Sequence, residues 1–476
     1  MKNFNHNPSR RRFIGQASCA AVGATTIFST LFNLKSLNAA ASLHSGIGAM
    51  PGDYKALVCL LNAGGMDSFN MLVPRSTPHY NEYALTRSNM ALELNALRPI
   101  HPLVSDGKQY GLHPSLVHMQ NLFETNKLAF VSNIGTLIQP ITKQQFYNNS
   151  VPTPLGLYSH SDQIMHWQTG VPQERVAKGW GGKMADLMIS ANENQTVSMN
   201  ISLSGSNVFQ TGEKSVEYSL HPENGSVGIL DYNNQDWVFN QMKRVAIDGL
   251  INPAYQSVFK NTYRKTIKTA IEGNNMLSSA IQAAPEFVIP FSANSNLSKS
   301  FEMIAKTISG RDQLQMSRQI FFVEFGGWDH HDELLVSQSE MLSELDSALY
   351  QFNAAIEQMG LADKVTTFSL SEFSRTLTSN GNGTDHAWGG NVFVMGGAVK
   401  GKNIYGKYPS LSLGNSNPLE VGGGSLIPST SADEYFAELA LWYGVPASEL
   451  VTIFPNIGYF FDPMSGTQPI GFLNFG

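Results

Sequence analysis

Cysteine is nearly absent from this chain. Cys19 and Cys59 are the two among 476 residues, and Cys19 falls in a segment that reads as removable, so no intramolecular disulfide is left to staple the fold. Cys59, inside "ALVCLL", is expected to behave as a small buried hydrophobe. Charge is sparse too. Charged residues make up 14% against 42% apolar, which excludes a charge-solvated disordered chain and leaves enough apolar surface for a sizeable core. Past the N-terminus no apolar run is long enough to span a membrane, and no internal repeat is visible.

What is present begins with an address. "SRRRFIGQAS" places Arg10 and Arg11 before a modest apolar stretch, and the small residues of "LNAAAS" follow. A basic start, an apolar middle and a small-residue cleavage site define a signal peptide, here residues 1–41. The twin arginine makes it look like a twin-arginine export signal, so the export machinery is an expected partner and the periplasm or the exterior the expected destination. Thr, Ser and Gly dilute the apolar stretch too far for an anchor, and "GQASC" lacks the apolar residue a lipoprotein site needs. Removal takes away Lys2, Arg10, Arg11, Arg12 and Lys35 and no acid. That leaves 26 of the 31 basic residues against 37 acids, a mature charge of −11. Nucleic acid is thereby excluded as a partner.

Residues 42–476 read as a single domain. "YKALVCLLNAGGMDSFN", "LAFVSNIG", "QIFFVEFGG", "KVTTFSLSEF" and "NVFVMGGAV" are continuous apolar runs ending in glycine or polar clusters, the pattern of strands covered on both faces. Helical periodicity lies between them, as in "SQSEMLSELDSALYQFNAAIEQMG". The expected fold is α/β, a mostly parallel central sheet flanked by helices, with its ligand crevice at the carboxyl ends of the strands. Residues 192–297, rich in Asn, Ser and Gln, are expected to be an inserted, cap-like region.

Polar clusters follow the strands, where that rule expects function. They are Asp67 in "NAGGMDSFN", Ser159 and His160 in "LYSHSDQIMHW", and Asp329, His330 and His331 in "GGWDHHDE". Glu372 and Arg375 in "SLSEFSRT" and Asp385 with His386 in "GNGTDHAWGGN" complete the set. Adjacent Asp-His pairs reach one ion only across a turn, and glycines supply the turns. Carboxylate with imidazole suits Zn, Mn or Fe better than Ca, so one or two divalent ions are expected.

The stretches "LVCLLNAGGMDSFNMLVP", "YGLHPSL", "YSHSDQ", "GGWDHHDE", "SEFSRTLTSNGNGTDHAWGGNVFVMGGAVKGKNIYG" and "TSADEYFAELALWYGVPASELVTIFPNIG" resemble the exported bacterial family called domain of unknown function 1501. That family is similar to the alkaline phosphatase and sulfatase superfamily. The resemblance implies an alkaline-phosphatase-like sheet with metals at its carboxyl edge and a phosphate or sulfate ester as substrate, small or polymeric. It implies Asp67, Asp329, His331, Asp385 and His386 as metal ligands and Ser159 as a nucleophile at a helix start. Arg375 is expected to clamp the oxyanion or, equally, to pair with Glu372. No histidine follows His386, so His160, His330 or Glu372 would have to replace the superfamily's further ligand. No Cys-x-Pro-x-Arg stretch occurs, which argues against formylglycine sulfatase chemistry. The alternative is a non-catalytic protein on the same fold that binds envelope or extracellular polysaccharide. His113, His166, Ser68 and the aromatic tail "IFPNIGYFFDP" read most simply as structural.

Overall fold

Nine residues, KALVCLLNA, form strand β1 (Lys55–Ala63). Its side chains alternate between two separate apolar cores: Val58 and Leu60 join one, and Leu57, Cys59 and Leu61 the other. A strand buried on both faces has no polar face to show, which explains the unbroken apolar run. The structure is a computed structural model and describes residues 53–475 except 227, 230, 231, 234 and 235. The expected signal segment 1–41 lies outside the described residues.

β1 sits near the middle of a ten-stranded sheet of order β12-β5-β11-β10-β1-β9-β6-β7-β8, with β13 paired to β5. The strands are β5 (Leu128–Gly135), β6 (Asn200–Ser202), β7 (Tyr218–His221), β8 (Gly225–Ser226) and β9 (Arg318–Gly326). They continue with β10 (Val365–Leu370), β11 (Gly390–Met395), β12 (Ile404–Gly406) and β13 (Thr430–Ser431). β1 pairs in parallel with β9 and β10, and β6 in parallel with β9 and β7. β11 runs against both β10 and β5. The sheet is therefore mostly parallel, as expected. Outside it, β2 (Leu72–Pro74), β3 (Arg98–Ile100) and β4 (Tyr110–Leu112) make a small antiparallel sheet.

This topology fixes where the polar clusters go. β1, β9 and β10 lie side by side and point the same way, so the loops that follow them emerge at one edge. β11 is reversed, so the loop that precedes it, with Asp385 and His386, meets them there. Within residues 192–297, β6, β7 and β8 extend the sheet beyond β9, and the helices Val238–Ile251 and Val258–Gln282 follow. Among the described residues no helix is long and apolar enough to cross a membrane.

Candidate metal centre

Two glycines open the site. Gly64 takes φ +121°, and a Cβ there would meet the backbone nitrogen of Asp329 at 2.5 Å and that of Trp328 at 2.7 Å. A side chain would force apart the loops leaving β1 and β9. The Gly64 amide donates to Glu372 Oε1 (2.8 Å) and its carbonyl accepts from Arg375 Nη1 (3.3 Å), which ties in the loop leaving β10. Gly383 plays a similar part, since a Cβ there would overlap the His331 backbone.

Three imidazoles meet at this edge. His160 is the first residue of the helix His160–Thr169, His331 follows β9, and His386 precedes β11. Each is held through Nδ1 by an acceptor behind it. His160 Nδ1 lies 2.7 Å from Glu372 Oε1, His331 Nδ1 3.3 Å from Asp385 Oδ1, and His386 Nδ1 2.8 Å from the Tyr158 carbonyl. A carbonyl or an ionised carboxylate only accepts, so each Nδ1 carries the proton, which in the neutral tautomer leaves a bare lone pair at Nε2.

Those lone pairs converge. His160 Nε2 and His331 Nε2 lie 3.1 and 3.0 Å from His386 Nε2. Asp329 completes the group, with Oδ2 3.4 Å from His160 Nε2 and Oδ1 3.0 Å from His331 Nε2 and 3.3 Å from His386 Nε2. One lone pair on His386 thus faces three neighbours, and a single shared proton satisfies only one of them. His160, Asp329 and His386 form the group whose ligand atoms all lie within 4.8 Å of one another. The imidazole separation of 3.1 Å, and the distances of 3.3 Å from His386 to Oδ1 and 3.4 Å from His160 to the other carboxylate oxygen, are close to the roughly 3.3–3.4 Å between donors held about 2.0–2.1 Å from a tetrahedral ion. The residues present fit a divalent cation.

The electrostatics agree. Glu372 is fully buried, and its Oε2 has no hydrogen-bond partner. A carboxylate so enclosed needs positive charge nearby, on or behind His160. The hydrogen bond to Glu372 raises the His160 pKa against the effect of burial. Burial lowers that of His386. For Asp329, burial opposes ionisation, but the Arg375 hydrogen bond and charge hold its carboxyl below the usual value.

Several expected site residues stand elsewhere. Asp67 is wholly buried, caps a short helix by accepting from the Asn70 amide (3.3 Å) and is ion-paired with Arg87. Its carboxylate is engaged by Arg87, and it is not part of the group that His160, Asp329 and His386 form. Arg375 is also fully buried. Its guanidinium is occupied by Asp329 Oδ1 (2.7 Å), the Thr384 carbonyl (2.8 Å), Thr384 Oγ1 (3.4 Å) and the Gly64 carbonyl. Four of its five N–H donors are engaged in this way, none of them by Glu372, and it positions Asp329. Ser159 does precede the helix start, but its hydroxyl is hydrogen-bonded to Ser161 Oγ (3.2 Å) and to the Asp162 carboxylate, away from the three histidines. His330 packs on Trp328 and is pushed toward the neutral form by burial, outside the group. Asp385 and Glu372 stand behind histidines as their acceptors. Of the three possible replacement ligands, the one brought into the group is His160. Missed from sequence were the Tyr158 carbonyl, Thr384, which accepts through its carbonyl and its hydroxyl, and the Phe373 ring, 4.8 Å from the His160 ring and 4.6 Å from that of His386.

Among solved structures, the chain resembles Ps i-CgsB in complex with k-i-k-neocarrahexaose, at 9% identity and a TM-score of 0.34, covering 86% of this chain and 77% of that one. A structure from work on glycosaminoglycan metabolism by Bacteroides thetaiotaomicron is similar at 8% identity and a TM-score of 0.35, covering 83% and 73%. A quadruple mutant of the alkaline phosphatase PafA is similar at 10% identity and a TM-score of 0.24, covering 69% and 64%. No curated protein matches the chain. A family model, described as protein of unknown function (DUF1501), matches residues 54–422. The chain belongs to that family.

Proposed function

We propose that the chain is an exported, metal-dependent hydrolase of phosphate or sulfate esters. His160, Asp329 and His386 hold its divalent cation, and His331 stands beside them as a further donor. The observation that carries the reading is the outward tethering of three Nδ1 atoms while three Nε2 atoms turn inward on one carboxylate. Histidine ligands are oriented in this way by carboxylates and carbonyls behind them. The donor set favours Zn, Mn or Fe. When bound, such an ion supplies Lewis-acid polarisation of an ester oxygen and a lowered pKa for water.

The chain's own residues prepare the site. Glu372 and the Tyr158 carbonyl keep the protons of His160 and His386 on Nδ1. Arg375 fixes the Asp329 carboxylate, and Phe373 packs against the His160 and His386 rings. The ester class is supported by the superfamily resemblance of the sequence motifs and by placement at the carboxyl edge of the sheet. Export rests on Arg10, Arg11 and the stretch after them. Cell fractionation with Arg10→Lys/Arg11→Lys tests it, and an unchanged distribution would overturn it.

A second reading, a non-catalytic polysaccharide-binding protein on this fold, is favoured by the engagement of four of the five Arg375 donors within the protein. Turnover of nitrophenyl phosphate, bis-nitrophenyl phosphate and nitrophenyl sulfate by chain loaded with each metal, against His386→Ala, separates the two. The hydrolase reading expects turnover that His386→Ala abolishes. Equal turnover in both proteins overturns it. No turnover with any ion, alongside polysaccharide binding that survives in His386→Ala, selects the second reading.

A further inference from the structure

The helix Val238–Ile251 leaves much of its apolar surface facing outward. The helix Asn296–Ser309 buries Leu297, Phe301, Ile304 and Ile308, the ordinary arrangement for a helix laid on a core. In Val238–Ile251 the inward side holds Lys243, Arg244 and Asp248 beside half-buried Ile247 and buried Ile251. Arg244 Nε lies 3.7 Å from Asp248 Oδ2, and its guanidinium stands 5.2 Å over the Tyr232 ring. The outward side carries Met242 and Val245, next to Trp237 and Phe239. The helix Val258–Gln282, which touches it, adds Phe259 and Tyr263. These six side chains are 61–75% exposed. Patches of this kind mark interaction surfaces.

The charge beside the patch identifies the occupant. Residues 237–272 hold Lys243, Arg244, Lys260, Arg264, Lys265 and Lys268 against Asp248 and Glu272, a local charge of +4 in a chain of −6. Lys260, Lys265 and Lys268 are exposed. Around the helix Val258–Gln282, Lys265 and Lys268 stand roughly 120–180° from Phe259, on the polar side that an interfacial helix turns to the headgroups. An anionic bilayer offers both things the face needs, apolar depth for Trp237, Phe239 and Phe259 and negative headgroups for the lysines. Aromatic and aliphatic side chains beside basic ones, on helices too polar to span, are the signature of an element that lies in the bilayer interface.

We infer that Trp237 to Lys268 is a docking element for the surface of anionic phospholipid membranes. It sits on the flank of the sheet edge formed by β6, β7 and β8, and the inference does not depend on the metal centre.

The six tryptophans make the test specific. Trp237 is 73% exposed and the other five are at most 2% exposed, so quenching by brominated lipid reports on Trp237. The purified full chain is mixed with vesicles of phosphatidylcholine alone, or of an equal mixture with phosphatidylglycerol, each containing a brominated phosphatidylcholine. The expected result is quenching and co-sedimentation with the anionic vesicles only, both reversed by salt. Lys260→Gln, Lys265→Gln and Lys268→Gln each weaken binding about fivefold. Trp237→Ser/Phe239→Ser/Phe259→Ser abolishes it, with metal content unchanged. Absence of quenching on anionic vesicles overturns the inference. So does equal binding to neutral vesicles, or a concentration-dependent dimer that this triple variant dissolves while vesicles bind neither protein.

Discussion

Asp67 and Arg87 form an ion pair with neither side chain exposed. Removing one charge from such a pair leaves the other buried alone, at a cost of about 3–5 kcal/mol. Asp67→Asn is therefore expected to lower the unfolding midpoint markedly in thermal or denaturant melts while leaving metal content as in the wild type. Metal loss without loss of stability would return Asp67 to the ligand set. His113 gives a second prediction. Its Nδ1 accepts from the Ser115 amide (3.1 Å), and burial pushes its pKa down from 6.5 to about 4. Between those values the unfolded chain binds a proton that the folded chain refuses, so stability falls as pH drops through that window, by about 3 kcal/mol in full. His113→Asn keeps an acceptor for the Ser115 amide and should flatten this slope in melts taken from pH 7 to pH 4. An unchanged slope would show that His113 titrates normally in the folded chain.

The elements that build the site are three parallel strands and one reversed strand, and their exits are held together by Gly64. Gly64→Ala adds a Cβ against the Asp329 and Trp328 backbones at a positive φ. The expected cost is roughly 1–3 kcal/mol of strain, released by moving the β9 exit loop and Asp329 with it. Weakened metal retention should then accompany a lowered melting temperature. Gly381→Ala, at φ +126° with nothing within 4 Å of its added Cβ, is the control for backbone strain alone and should retain metal. At this scale much was legible in the sequence. β1, β5, β9, β10 and β11 stand where unbroken apolar runs predicted them, because strands covered on both faces leave a one-dimensional trace. The clusters also fell at one sheet edge, because strand direction decides on which side a loop emerges. Contacts made by side chains far apart in sequence left no such trace. Nothing near Asp67 announces Arg87, and nothing near Arg375 announces that Asp329 and Thr384 will consume its donors. His160 was visible only as one of three replacements, since its choice depends on where the helix His160–Thr169 begins relative to β10 and β11. The short strands β7 and β8 and the outward apolar face of Val238–Ile251 were hidden in a polar-looking stretch.

For the molecule as a whole, two cores on either side of one sheet hold the strands rigidly and leave the site to loops at their carboxyl ends. Rigid support matters here, because lone pairs about 3 Å apart repel and stay converged only where the scaffold compels them or a cation joins them. A cation bound to the folded chain alone must also stabilise it by mass action, so the metal centre and the fold are coupled. Metal content by elemental analysis, on tag-free chain purified without chelators, for wild type, Asp329→Ala and His386→Ala, tests this most directly. The account predicts a stoichiometric amount of Zn, Mn or Fe in the wild type, lost in both variants while circular dichroism shows them folded. Wild-type protein that takes up no divalent ion even after incubation with each metal, or variants that retain the metal in full, would contradict it.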